Sequence, residues 1–191
     1  MSFNARQRAA IRRWSEGAAP LEGTYFRSVE YRYMDPRDVL SGAGTRMYGG
    51  RFAPLGTRAV YLSASDSGAG KEVTARKARL GGAAQITTDK YPRVVYAVAV
   101  DLARVLHLSA LGKSRAGDAV RKACLNVDDL SASIELGRML VADGIQGLLF
   151  TSAIGGDNNL IVYRAHCGKK ALTIQHEKDV IEEAKKIAAK H

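Results

Sequence analysis

The run Arg93–Leu102, RVVYAVAVDL, constrains the fold of this chain more than any other stretch. Valine and alanine fill nearly every position between its charged ends, and β-branched residues favour a pleated backbone. A strand apolar on both parities belongs at the centre of a sheet, with neighbours on both edges. The sequence therefore predicts a sheet built around this run, with Tyr96 in its core. Further strands are expected at Thr24–Val29, Val60–Leu62, Val105–Leu108 and Gly147–Phe150. Two more, Leu160–Tyr163 and Ala171–Gln175, read as a hairpin-related pair.

Helical stretches alternate with these strands. Residues 5 to 16 carry Ala9, Ile11 and Trp14 among arginines, and the Gly17–Gly23 stretch with Pro20 ends that helix. Asp35-Pro36 is a cap and first-position pair for a short turn between Tyr31 and Leu40. A helix capped by Asp66 or Ser67 is predicted to run to Leu80 and to stop at Gly81-Gly82. Lys113–Leu125 and Ser131–Ala142 read as two more, the second with Ile134, Met139 and Leu140 inward and Gly144 as its stop. From Lys178 to His191, Val180, Ile181, Ala184, Ile187 and Ala188 share one stripe of an amphipathic helix that packs on the domain. Such a mixture predicts an α+β fold. Its 191 residues suit a single domain over 1–191.

Charge narrows the list of partners less than it first suggests. The net charge is +10, which invites a nucleic acid. Yet residues 1–32 carry +3, 33–80 carry +4, 81–168 carry +1 and 169–191 carry +2, with no basic arm. A cationic cleft for a phosphorylated ligand, or a face for an acidic partner, accounts for it equally well. No apolar run approaches membrane-spanning length, and the basic N-terminus lacks the apolar core of a secretory signal. Cys124 and Cys167 have no motif spacing, so a reduced, cytoplasmic setting is expected. The histidines (His107, His166, His176 and His191) show no metal spacing, and no metal is expected. Gly42-Ala-Gly44 lacks the third glycine of a dinucleotide fingerprint, and Gly70-Lys71 is followed by Glu72 instead of Ser or Thr, so no phosphate loop is present.

Chemistry concentrates between Arg46 and Glu72, RMYGGRFAPLGTRAVYLSASDSGAGKE. Gly49-Gly50 admits close backbone approach. Arg51 follows that turn, Tyr61 lies on the strand, and Glu72 falls early in the helix beyond it. Turn, strand and helix start thus bring together an arginine, a tyrosine and a glutamate, a set suited to a small anionic ligand with a group to polarise.

The same stretch carries a resemblance. The pattern G-T-R-M-Y-G-G-R-F-x-P-x-G-x-x-A-V-Y-L-S, with Ala69 and Glu72 after it, resembles the RES domain, the toxin half of bacterial Res–Xre toxin–antitoxin pairs. Tyr25-Phe26-Arg27 near the start and Gly147–Ser152 with Asn158-Asn159 near the end also match. The likeness covers roughly residues 24–164 and leaves 165–191 as a C-terminal strand and amphipathic helix. It implies an ADP-ribosyltransferase-like fold, two small curved mixed or antiparallel sheets around an NAD-binding cleft, flanked by helices. It also implies an NAD⁺-consuming enzyme, either an ADP-ribosyltransferase or an NAD⁺ glycohydrolase or phosphorylase. A cognate Xre-like antitoxin blocking the cleft follows, and a host protein target becomes possible.

The resemblance carries roles onto residues here. Glu72 would hold the ribose 2′-hydroxyl, a contact that strengthens as positive charge develops at the anomeric carbon. Tyr61 would offer its ring to the nicotinamide. Arg27 and Arg51 suit the pyrophosphate. Ser152 would orient Glu72 or meet the nicotinamide ribose, with Tyr48 and Arg46 as further binding candidates. Phe52-Ala53 stands where many members have Trp-Asn, and Thr151 where Pro is frequent; both differences bear on the acceptor side. A basic RNA- or DNA-binding module or an RNase-type toxin is the alternative, drawing on net charge and Tyr31-Arg32-Tyr33. No histidine pair stands ready for acid–base cleavage, and aromatic and basic residues are not interleaved along one element. A catalytically inactive interaction domain is a third reading, against which the retained Arg, Tyr, Glu and Ser argue.

Overall fold

A computed structural model describes residues 3–69, 93–152, 156 and 158–188. The expected helix beyond residue 69, its Gly81-Gly82 stop, Glu72 and His191 lie outside the described residues. The strands are β1 (Ala19–Glu30), β2 (Ala59–Ser63), β3 (Arg93–His107), β4 (Gly147–Thr151), β5 (Asn158–Tyr163) and β6 (Leu172–Ile174). The helices are α1 (Ala5–Glu16), α2 (Pro36–Val39), α3 (Ala43–Tyr48), α4 (Arg115–Leu125), α5 (Ser131–Ala142) and α6 (Glu177–Ala188).

In place of two separate sheets, the six strands form one continuous sheet that a further β1–β3 pairing folds into two three-stranded layers. One is β1–β3–β6: β1 pairs antiparallel with β3 from Ala19↔Val105 to Glu30↔Arg93, and β6 lies on the other edge of β3. The second is β2–β5–β4, antiparallel throughout. A single pair, Phe26↔Ser63, joins β1 to β2. Three parallel pairs, Val105↔Gly147 to His107↔Leu149, join β3 to β4. The chain crosses from β3 to β4 through α4 and α5, as a parallel connection requires. The fold is α+β.

Two cores follow from this layering. Between the layers, Val94, Tyr96, Val98, Val100 and Leu102 of β3 cluster with Val60, Leu62, Leu149, Leu160 and Val162. On the outer face of β2–β5–β4, Ile161, Tyr163, Leu148 and Phe150 pack against Ile11, Val120, Leu136 and Leu140 of α1, α4 and α5. The strands β4 and β5 are thus covered on both faces, which is why GLLF and LIVY show no alternation. The central β3 is paired on both edges as its sequence predicts, but covered fully on one face only: Val95 is 39% exposed.

Several local expectations change. The strand expected at Thr24 begins at Ala19, and Pro20 sits at a register irregularity between Ala19 and Leu21, where a missing N–H is tolerated. Val105 to His107 continues β3 instead of forming its own strand. The last two strands are not a hairpin: β5 pairs with β2 and β4, while β6 pairs with β3. The turn at 66–69 is capped by Ser65, whose Oγ accepts from the Gly68 N–H at 2.9 Å, not by Asp66 or Ser67. Helix α5 turns Ala132, Leu136 and Leu140 inward, with Ile134 only half-buried. Helix α6 packs as expected, through Val180 and buried Ala184. Among the described residues no helix is long and apolar enough to cross a membrane.

Candidate active site

The site begins at the fork where β1 leaves β2. With only Phe26↔Ser63 paired, the carbonyl of Tyr61 has no β1 amide opposite it. The Arg27 guanidinium fills that gap: Nη1 donates to the Tyr61 carbonyl at 3.0 Å. Its Nε is buried and has no hydrogen-bond partner among the described residues, and no carboxylate there pairs with it. Burial, and secondarily the neighbouring Arg93 guanidinium, lower the Arg27 pKa to about 10. Arg93 itself is held by Ser28 and lies 3.9 Å from Glu30. So Arg27 is a desolvated cation that remains charged at neutral pH and faces a second cation.

Tyr61 ties this fork to the glycine turn. Its hydroxyl donates to the Arg51 carbonyl, and its ring lies so close to Gly50 that a Cβ there would sit 2.8 Å from the hydroxyl. The turn closes by reciprocal bonds between Gly50 and Ala53, at 2.9 and 3.0 Å. Within it Phe52 takes φ 62, a left-handed conformation that costs a bulky residue about 1–3 kcal/mol. Two groups hold it there. Tyr163, wholly buried, donates its hydroxyl to the Phe52 carbonyl at 2.9 Å, and Gly137 of α5 lets the helix backbone press on that same carbonyl, where any Cβ would overlap it.

The Arg51 side chain turns inward. Its Nη2 donates to the Cys124 carbonyl at 3.0 Å, and the guanidinium lies 5.1 Å from the Phe52 ring centre and 5.4 Å from that of Phe150. Arg27, Tyr61 and Arg51 are therefore brought together as a chain of contacts through two backbone carbonyls. Ser152 follows the carboxyl end of β4, half-buried, one residue beyond the Thr151↔Asn158 pair. Arg46 and Tyr48 stand out from α3 into solvent, Tyr48 being 75% exposed. Glu72 is outside the described residues.

Two polar side chains at the same strand ends carry more than sequence reading assigned them. Ser63 and Asn159 are buried and opposite each other, and Asn159 is also paired with Phe150. Both stand in the stretches that carry the family resemblance, at the polar ends of apolar runs, but were given no role there. A separate crevice of about 420 Å³ lies on the other face of β1, floored by Phe26, Val95 and Ala97 beneath Val180, with Asp66 and Ser67 at its rim. No arginine among the described residues lines it. Among the described residues there is no cluster able to hold a metal ion.

A family model described as the RES domain matches residues 24–181. No curated protein matches the sequence significantly. Among solved structures, the chain is similar to one in the crystal structure of the M. tuberculosis MbcT–MbcA toxin–antitoxin complex, with TM-score 0.66 and 22% identity, over 95% of this chain and 100% of that one.

Proposed function

The chain belongs to the RES domain family, and from that premise we propose that it is a toxin of a toxin–antitoxin pair that cleaves the nicotinamide–ribose bond of NAD⁺. ADP-ribose passes to a protein, phosphate or water. The observation that carries the reading is Arg27: a buried cation at the sheet fork, anchored by one carbonyl, with no carboxylate partner among the described residues. Such a charge is costly unless an anion meets it, and the dinucleotide's pyrophosphate is that anion.

The bond that breaks is the C–N bond between ribose and pyridinium. Its electron pair goes to the ring nitrogen, so nicotinamide leaves neutral and the anomeric carbon takes on oxocarbenium character. An acceptor oxygen then forms the new C–O bond and gives up its proton. In this scheme Arg27 seats the pyrophosphate, Tyr61 presents its ring to the nicotinamide, and Glu72 holds the ribose 2′-hydroxyl. Ser152 orients that carboxylate or the ribose. Tyr48 and Arg46 form the rim. We place the contribution of Arg51 in positioning: its carbonyl fixes the Tyr61 hydroxyl while its guanidinium anchors the turn. The antitoxin reading draws on the family and on the complex in which the similar solved chain occurs.

The test is to incubate the purified protein with NAD⁺ and follow free nicotinamide, with and without cell lysate. Release alone marks water or phosphate as acceptor; a labelled lysate protein marks transfer. Glu72→Ala is expected to lower turnover by about 10²-fold, roughly 2.7 kcal/mol of transition-state stabilisation. No release from the wild-type protein would overturn the reading, and near-full release from the variant would remove Glu72 from it.

A further inference from the structure

Beside the fork, α3 and the turn that follows it expose an apolar surface that none of the described residues covers. Met47 is 61% exposed, Tyr48 75% and Leu55 73%. These are adjacent, because the Gly56 N–H donates to the Arg46 carbonyl at 3.0 Å and Gly49 packs against the Leu55 backbone. The surface is also held rigidly. Thr45 Oγ1 donates to the Ala59 carbonyl at 2.7 Å and accepts from the Ala59 N–H at 2.8 Å, fixing α3 to the foot of β2. Two exposed arginines flank it, Arg46 on α3 and Arg58 at the start of β2, and neither enters an ion pair among the described residues. Elsewhere on this surface arginines do find acids: Arg37 with Asp35, Arg121 with Asp118, Arg138 with Glu135.

We infer that this surface is the docking site of the antitoxin, and that the docking segment is acidic with aliphatic or aromatic anchors. The inference rests on the toxin–antitoxin reading above and names the partner's contact with the site. Three observations select a protein over other occupants. Met47 and Leu55 are flexible aliphatic side chains, which suit the centre of a protein interface. Rigid apolar exposure rimmed by polar residues is the general mark of such an interface. Arg46 and Arg58, which meet no acid among the described residues, set the charge of the partner, and in a chain of net charge +10 that complementarity also speeds encounter. Position then supplies the inhibition: Tyr48 is followed directly by Gly49, Gly50 and Arg51, so a segment seated on α3 covers the approach to the Tyr61 turn.

The experiment uses the full chain and the protein encoded by the adjacent reading frame, with affinity measured by calorimetry and nicotinamide release measured in parallel. The variants are Met47→Glu with Leu55→Glu, and Arg58→Glu alone. The affected side chains are exposed, and circular dichroism with Met47→Gln/Leu55→Gln as a neutral companion checks the fold. The double glutamate variant is expected to weaken the partner about 10²-fold and Arg58→Glu about 10-fold, with nicotinamide release by the free protein unchanged. Release then continues in the presence of the partner. Affinity within about twofold of wild type for the double variant would overturn the inference, as would a wild-type protein that does not bind this partner. Salt-dependent oligonucleotide binding abolished by the same variants would transfer the surface to nucleic acid and also overturn it. Calorimetry reads the partner whether or not NAD⁺ is cleaved, so this failure and that of the enzymatic reading are told apart.

Discussion

Arg27 and Arg51 sit on either side of Tyr61, and the protein treats their charges in opposite ways. At the glycine turn, the Arg51 guanidinium meets the Cys124 carbonyl and stacks near the Phe52 and Phe150 rings. Its charge is used by the fold. At the fork, the Arg27 guanidinium has the Tyr61 carbonyl and a second cation for a neighbour. Its charge is left over for something else. Identical side chains thus separate into an anchor and a receptor, and the separation comes from what surrounds each.

The largest expected effect tests that separation directly. Arg27→Met is expected to lower kcat/KM for NAD⁺ by about 10²-fold, mostly through KM, while changing stability by less than about 1 kcal/mol, because the lost bond and the relieved burial offset. Arg51→Met is expected to do the reverse: a loss of roughly 2 kcal/mol in urea unfolding as the carbonyl bond and ring contacts go, with activity following the folded fraction. If Arg51→Met raises KM at unchanged stability, both arginines are receptors and the contrast collapses.

How far could this be read from the sequence? Tyr96, the Asp35-Pro36 cap and the Gly144 stop were legible because each depends on near neighbours and a periodic pattern. The ladder order was not. Nothing local distinguishes a β5–β6 hairpin from the observed arrangement, in which β6 lies beside β3. The fork escaped for the same reason: that β1 pairs with β2 only at Phe26↔Ser63 is fixed by the long β1–β3 ladder. Tyr61 and Arg51 stood out by their pattern and Arg27 only through the family resemblance, but their opposed environments are made by Cys124, Phe150 and Arg93, all distant in sequence. The left-handed Phe52 is the clearest instance, since local sterics argue against it and remote groups impose it.

Those remote groups give the next two effects. Gly137→Ala drives a methyl into the Phe52 carbonyl, and a loss of about 3 kcal/mol in urea unfolding is expected, because backbone can yield only by moving α5 or the turn. Tyr163→Phe removes the hydroxyl from the same carbonyl and leaves it buried, for a loss of about 1–2 kcal/mol. Both act on the anchor side of Tyr61, so KM for NAD⁺ should move far less than in Arg27→Met. Equal KM effects in all three would mean that the turn and the fork respond as one unit.

The smallest effect is a pH dependence peculiar to the receptor. Burial and Arg93 lower the Arg27 pKa to about 10 in the folded protein, below the value of a solvated guanidinium. Below about pH 10 both folded and unfolded chains carry the proton, and the cost of burying the charge is constant. Above that, the folded state releases its proton first, the unfolded state binds more, and stability rises with pH relative to a chain lacking the group. The difference in urea midpoint between wild type and Arg27→Met should therefore be flat up to about pH 9 and move in favour of the wild type by about pH 11. Lysines and tyrosines titrate in both proteins and cancel in the difference. Over the same interval NAD⁺ affinity of the wild type should fall, because the leftover charge that receives the anion is the one being lost.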